Sequence, residues 1–262
     1  MSYHSLYKLY FTLPDEGKDI YSQRYHSNQT IHIPIQIDHF PAFIYLDPEI
    51  NDSIQHITST NIQDDDYKKE IMASHLIEGI LCHEDDFSQK RFNGFVKHYK
   101  NLQEGKAMKI TNVYALRRLY DDLIVPDPHD LPDGKLFRKE AVTIYSGSQG
   151  IHQGSYPESQ IIKDLSHALT ILNDESLPIL MRVSLFHYLL GYIHPFYDGN
   201  GRLSRFLTSN YLCDDNPSLA LSLSQRIYAH KEAYYKAFTI TNDPRNRGDL
   251  TYFVLSFLKL LS

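Results

Sequence analysis

Within twelve residues, His194-Pro195-Phe196-Tyr197-Asp198-Gly199-Asn200-Gly201-Arg202-Leu203-Ser204-Arg205, the chain gathers a base, a carboxylate, a glycine-rich turn and two guanidinium groups. His194 can accept a proton near neutral pH. Asp198 is a hard oxygen ligand suited to a cation such as Mg²⁺, which neutralises polyphosphate charge. Asp198-Gly199-Asn200-Gly201 reads as a tight turn opening a helix, and a helix N-terminus offers free N–H groups and a positive dipole end to an anion. Arg202 and Arg205 are three residues apart, so both project near that end and add fixed cations for phosphate oxygens. A lone His after a helix, or a lone Asp-Gly-Asn-Gly, is ordinary turn chemistry. All of these parts together point to a nucleotide-handling site with a base beside it.

Two helices must position these groups. Pro178 opens one, with Leu180, Val183, Leu185, Leu189 and Ile193 as its core residues, and Pro195 restricts the residue before it, so the helix ends near His194. Gly199 to Leu212 is the next helix. Upstream, Tyr67 to Cys82 carries apolar residues at Tyr67, Ile71, Leu76, Ile80 and Leu81, near helical spacing, with Asp64-Asp65-Asp66 at the favoured end. Phe87 to Leu102 is a weaker helix because of Gly94, and Val113 to Ile124 a clearer one closed by Pro126 and Pro128. Leu136 to Ser155, with Val142, Ile144 and several glycines, reads as a short β-hairpin, after which Pro157 opens a helix through Leu172. Leu221 to Phe238 reads as one more helix, and Asp249 as the cap of a last one to Leu260. In the first sixty residues Ile31 to Ile37 alternates like a strand, but Pro34 demotes it to an edge or extended arm, and Pro41 and Pro48 mark turns. The expected fold class is all-α, a helical bundle with one hairpin, without βαβ alternation.

The bulk numbers narrow the function classes. At 262 residues there is chain enough for one large domain or two small ones. A formal net charge of -6 argues against a general nucleic-acid binder, which needs a clustered basic surface. No apolar run approaches the roughly 20 residues of a membrane span, and Met1 to Phe11 has no secretory apolar core, so no membrane partner and a cytoplasmic location are expected. Cys82 and Cys213 with His75 and His83 lack zinc-ligand spacing. Gly147-Ser148-Gln149-Gly150 lacks the Lys-Ser/Thr of a phosphate-binding P-loop.

The 194–205 string resembles the signature of the Fic (Fido) family, His-Pro-Phe-x-Asp-Gly-Asn-Gly-Arg-x-x-Arg, with every fixed position filled. The resemblance implies a protein adenylyltransferase that moves AMP from ATP to a Ser, Thr or Tyr hydroxyl, itself included, on an all-helical core with a hairpin flap. It implies that His194 is the catalytic base and that Asp198 holds Mg²⁺. Gly199, Asn200 and Gly201 would form an anion hole, with Leu203 and Ser204 in the same phosphate-binding turn. Arg202 and Arg205 would bind the β- and γ-phosphates, and Phe196 would be buried to hold the loop. Gly199 and Gly201 separate the chain from the kinase-like Doc branch, which places a Lys there. The hairpin from Thr143 to Tyr156 looks like the family's flap, so Gln149, Gly150, Ile151 and His152 would dock an extended target segment by strand addition. It has Gly154-Ser155 where relatives often have two prolines. Tyr234, Tyr235 and Asn242 resemble residues that enclose the adenosine.

Ser74-His75-Leu76-Ile77-Glu78-Gly79 resembles the family's inhibitory pattern, Ser/Thr-x-x-x-Glu-Gly/Asn. Ser74 and Glu78, i and i+4, would share a face of a helix at about 66–83, with Gly79 leaving room for another backbone. A Glu78 carboxylate could then take the Arg205 fork that the γ-phosphate needs. The resulting layout is an N-terminal extension at 1–60, a helical region with the inhibitory helix at 61–105, and the Fic domain at 106–262. Two alternatives stand beside transfer. The same parts would serve removal of AMP from a modified protein, and a nucleotide-binding interaction module would need no catalysis. Homo-oligomerisation is compatible with all three.

Overall fold

The computed structural model describes residues 3–57, 66–146 and 149–262, with the backbone alone at 145, 146 and 149–151. In chain order the elements are α1 (Leu6–Thr12), α2 (Gly17–Tyr25), β1 (Thr30–Ile37), β2 (Phe40–Tyr45), α3 (Pro48–Gln55), α4 (Asp66–Ile77), α5 (Asn93–Gln103) and α6 (Val113–Leu123). They continue with β3 (Thr143–Ser146), β4 (Gln149–Gln153), α7 (Glu158–Leu172), α8 (Ile179–Ile193), α9 (Asn200–Leu212), α10 (Pro217–Ala220), α11 (Leu223–Ala229), α12 (Lys231–Asn242) and α13 (Thr251–Leu261). The fold is helical with two separate two-stranded sheets, and Asp64 and Asp65 of the acidic run lie outside the described residues. Among the described residues no helix is long and apolar enough to cross a membrane.

α8 is the axis of the bundle. It is buried nearly all round, from Met181 to Ile193, because it packs against α7, α9 and α13 together. One apolar cluster runs through the molecule, from Ile33 and Ile44 of the first sheet to Phe257 and Leu261 of the last helix. Asp249, expected to cap that last helix, instead lies one residue before the cap Leu250, where its carboxylate accepts the Thr251 N–H at 3.0 Å. Its other oxygen accepts from Tyr3 Oη (2.7 Å) and Arg24 Nη1 (3.3 Å), tying the start of the chain to α13.

The N-terminal part is more regular than its prolines imply. β1 and β2 form an antiparallel hairpin whose register shifts between Ile33 and Gln36, a bulge that takes up Pro34. Pro34 has no N–H to lend a ladder, and its carbonyl instead accepts from His167 Nδ1 of α7 at 2.9 Å. Pro41, expected in a turn, lies within β2 opposite Gln36.

The single helix expected over Leu221 to Phe238 is in fact divided between α11 and α12. No Gly or Pro breaks this run. The break lies at His230 (φ -125, ψ 33), between α11, which packs on α4, and α12, which packs on α13. α11 begins on a buried carboxylate from α4: Glu70 accepts the Ser224 N–H at 2.7 Å. Burial pushes the Glu70 carboxyl up to about 7 despite that hydrogen bond.

Gly94 is less a weak point in α5 than the condition for its packing. A Cβ there would lie 1.8 Å from the Asp122 carbonyl oxygen of α6. Gly94→Ala is expected to force the two helices apart and cost about 1–3 kcal/mol, the usual price of overpacking. Thermal denaturation measures it, and an unchanged midpoint would refute the close crossing.

Candidate active site

The turn that carries the chemistry is built from the inside out. Phe196 is fully buried, stacked on Tyr120 at 3.5 Å between ring centroids and edge-on to Phe137. The Asn200 side chain clamps it by accepting from Phe196 N–H (3.0 Å) and donating to Phe196 O (2.8 Å). Asn200 therefore offers an anion its backbone N–H, not its amide. Gly199 sits at φ +81, and a Cβ there would also meet Ile124 at 2.9 Å, so this position excludes larger residues twice over. The first bond of α9 runs from Leu203 N–H to Gly199 O (2.9 Å). The N–H groups of Asn200, Gly201 and Arg202 precede it and form the helix's free N-terminal donors.

Two members of the expected phosphate turn are corrected. Leu203 is fully buried in the core and its N–H is spent within the helix. Ser204 is buried, and its hydroxyl faces His187 O of α8 at 3.3 Å. Helical geometry turns both away from the N-terminal face that Arg202 shares. Arg202 donates from Nη2 to Asp198 Oδ2 at 2.6 Å, and its buried Nε has no partner among the described residues.

His194 ends α8 in the left-handed region (φ 51, ψ 63), a conformation costing a non-glycine residue about 1–2 kcal/mol. Nδ1 lies 3.4 Å from the Gly191 carbonyl, which can only accept, so the ring proton belongs on Nδ1 and Nε2 carries the lone pair. Burial, reinforced by the Arg138 charge, pushes the ring's pKa down to about 4. A lowered value means the neutral, basic form persists well below neutrality. Activity depending on this base is thus expected to show no inflection between pH 6 and 8. A fall centred near 6.5 in a pH-rate profile would contradict the buried environment.

The residues of α4 meet this site across the bundle. Arg205 is fully buried and donates from Nε to Ser74 Oγ (3.0 Å), and from Nη2 to Ser74 O (2.8 Å) and Glu78 Oε1 (2.7 Å). A Cβ on Gly201 would stand 2.1 Å from Glu78 Oε1, so that carboxylate rests against the first turn of α9. The helix is shorter than expected, ending at Ile77 rather than near 83, with Glu78 as its last half-helical residue. Gly79 takes φ +77, its N–H goes to Leu76 O, and the Ile80 N–H goes to His75 O, both at 3.0 Å. This is a left-handed helix stop. Nothing approaches the place of a Gly79 Cβ, so its role is to end the helix under Glu78 and not to admit another backbone.

On the adenosine side the three expected residues separate. Tyr234 is buried and its hydroxyl donates to His187 Nε2 (2.8 Å), since Nδ1 of that ring is bound to Thr208 Oγ1. This corrects its place from ligand wall to core behind Arg205. Asn242 accepts from Tyr188 Oη at 2.7 Å and serves the end of α12. Tyr235 alone is exposed, with its hydroxyl on Ile77 O (3.2 Å) at the end of α4.

The flap is an antiparallel pair with partners Thr143–Gln153, Ile144–His152, Tyr145–Gly150 and Ser146–Gln149, and a bulge after Ile144. Of Gln149, Gly150 and Ile151 only the backbone is described. The His152 side chain anchors the flap: its ring stacks on Tyr192 at 3.9 Å and Nε2 donates to Tyr192 O at 2.6 Å. Tyr192 Oη in turn accepts the Asp38 N–H (2.7 Å) from the tip of the first hairpin. A cavity of about 540 Å³ opens between that hairpin, the end of the flap and α7, lined by Asp38, Gln153, Ser155, Tyr156 and Lys163 among others. Sequence reasoning missed Arg138, a fully buried arginine that holds the carbonyl of His194 at 2.7 Å. A lone Arg in an irregular stretch carries no local signal.

Comparison with known proteins agrees with this geometry. The Fic/DOC family model matches residues 109–212, which take in α6, the flap, α7, α8, the turn and α9. Residues 109–212 of this chain are a domain of the Fic/DOC family. A curated relative, "Protein adenylyltransferase Fic" of Drosophila mojavensis, is 30% identical over 167 residues, 60% of this chain and 31% of that protein. The match thus spans about a third of the relative's length. A Fic family protein from Desulfovibrio desulfuricans G20 superposes with a TM-score of 0.62 at 22% identity, over 81% of this chain and 69% of that one. IbpAFic2, solved covalently tethered to Cdc42, superposes with a TM-score of 0.55 at 18% identity, over 97% of this chain and 81% of that one. At these identities the two structures establish a shared fold, which in the second case includes the N-terminal region.

Proposed function

We propose that this chain transfers AMP from ATP to a hydroxyl group of a protein, its own included, and that Glu78 holds the site off. The observation that carries the reading is the meeting of a neutral imidazole, a free helix N-terminus and two arginines at one turn. The unpartnered Arg202 Nε beside that N-terminus is a buried donor awaiting an acceptor, and a phosphate oxygen supplies one. The adenylyltransferase named among the curated relatives, and the neighbour tethered to a protein, support the same class of substrate.

In this reading the triphosphate lies on the first turn of α9, with Arg202 and Arg205 on its outer phosphates once their carboxylates have turned away. A target segment runs along the unpaired edge of the flap toward the cleft beside Tyr156. His194 Nε2 takes the proton of the target hydroxyl, whose oxygen bonds to the α-phosphorus as the bond to the bridging oxygen breaks and pyrophosphate leaves. Asp198 is the residue that would hold Mg²⁺. Its carboxylate is 42% exposed, and a single carboxylate suits an ion that keeps its waters and takes its other ligands from phosphates. Bound there, the ion neutralises charge on the polyphosphate. The test is transfer of label from α-labelled ATP to protein, wild type against Glu78→Gly and His194→Ala. Incubating a pre-modified protein without ATP distinguishes removal of AMP from transfer.

A further inference from the structure

Arg138 is an unusual arginine. It is fully buried, and among the described residues no carboxylate reaches it. All of its side-chain partners are backbone carbonyls: Nε donates to His194 O (2.7 Å), Nη1 to Glu140 O (2.5 Å), and Nη2 to Ser155 O (2.8 Å) and Ile193 O (3.3 Å). Two of these, Ile193 and His194, are the last carbonyls of α8. The negative end of that helix dipole therefore takes the place of a counter-ion. The Arg138 N–H completes the set by donating to Pro195 O at 3.1 Å.

These contacts join two things that the reaction must keep in register. On one side is His194, whose left-handed backbone persists only where its surroundings over-determine it. Arg138 holds the carbonyls on both sides of the His194–Pro195 bond. On the other side is the end of the flap. The Ser155 N–H donates to Ile193 O (3.0 Å) while Ser155 O accepts from Arg138, so the strand leaving the flap is tied to the same helix end. Gly154 lies in the joint itself: a Cβ there would stand 2.5 Å from Arg138 Nη2, 3.0 Å from Ile193 O and 3.1 Å from His194 Cβ. Segment 135–137, which leads into Arg138, is fixed by three N–H donations to Glu158 at the start of α7. The guanidinium is therefore anchored from outside the site.

We propose that Arg138 is a positioning residue that sets the flap and the His194 imidazole as one unit, so that a hydroxyl held by the flap arrives in reach of the base. The proposal rests on the transfer reading above. Among the described residues Arg138 hydrogen-bonds neither to residues 198–202 nor to the arginines on α9, so its loss separates chemistry from nucleotide binding. Displacing a reacting group by about 1 Å costs on the order of 10²-fold in rate.

The experiment compares Arg138→Lys, Arg138→Met, Gly154→Ala and His194→Ala, each in the Glu78→Gly chain, by labelled-ATP auto-transfer and by ATP calorimetry. Arg138→Met and Gly154→Ala are expected to lower kcat about 10²-fold while KM and Kd for ATP stay within about threefold. Arg138→Lys, which keeps the charge and part of the donor set, is expected to recover part of the Arg138→Met loss. Should a buried Arg138 variant fail to fold, Gly154→Ala decides. Its added methyl meets one side-chain end and two atoms that need yield only tenths of an ångström. Full transfer by Gly154→Ala, or by a folded Arg138→Met, overturns the joint, as does a loss of ATP affinity equal to the loss of rate. His194→Ala tells the two readings apart: if it also transfers at full rate, the reaction is wrongly assigned. If it is inactive while the joint variants are fully active, only the joint fails.

Discussion

Glu78→Gly is expected to raise auto-transfer of label from ATP by about 10²-fold over wild type, the rate penalty associated with misplacing a reacting group by about 1 Å. Glu78 does two things in the closed site. It takes Nη2 of the buried Arg205 at 2.7 Å, and its Oε1 rests where a Gly201 Cβ would be, against the N-terminal donors of α9. A carboxylate there satisfies the same cation and the same dipole that a phosphate would, so the two compete for one place. Glycine at position 78 removes the competitor without opening the fold, since Arg205 keeps both its bonds to Ser74. It does leave a buried guanidinium without its counter-charge, which destabilises the free protein. ATP is therefore expected to raise the melting temperature of the variant more than that of wild type. Equal transfer by the two proteins would end the autoinhibitory assignment, and equal ATP shifts would end the competition for Arg205.

His194→Ala in that activated chain is expected to lower transfer by roughly 10²–10⁴-fold, the usual contribution of a general base, with ATP affinity nearly unchanged. The separation follows from where the groups sit. The proposed phosphate cradle is made of α9 backbone and arginines, whereas the imidazole belongs to the residue that caps the end of α8 and is held through Gly191 and Arg138. Alanine also has to adopt φ 51, so some loss could come from a displaced turn. His194→Asn removes this ambiguity, because asparagine tolerates the left-handed region and is no base. If His194→Asn transferred as fast as the parent, the proton acceptor would lie elsewhere.

Much of this site could be read locally because its chemistry is local. Proline after His194, the glycine turn and two arginines at helical spacing depend on rules that act within one or two turns of chain. Those rules suffice for the order α8, turn, α9 and for the hairpin of β3 and β4. They fail where the deciding partner is remote in sequence. Ser204 and Leu203 read as members of the phosphate turn, yet the helix facing them buries both. Gly79 reads as a contact point and proves to be a helix stop, which shows only when the hydrogen bonds of residues 75–80 are traced. His152 and Tyr234 have side chains fit for a ligand, and each is spent on α8.

Residues 217 to 242 show the same limit in the backbone, for the break at His230 has no sequence marker and follows from α11 lying on α4 while α12 lies on α13. Arg138 is the extreme case, since its partners are all carbonyls and a carbonyl has no residue type to recognise. Thus residue types and their spacing decide which chemistry this chain can attempt: base, hard carboxylate, cations and anion cradle. Packing decides which of those groups face the cleft, which are held by Glu78 and Arg138, and which belong to the core. The reason is that burial and αL geometry are set by chain segments far apart in sequence, 131 residues in the Ser74–Arg205 pair.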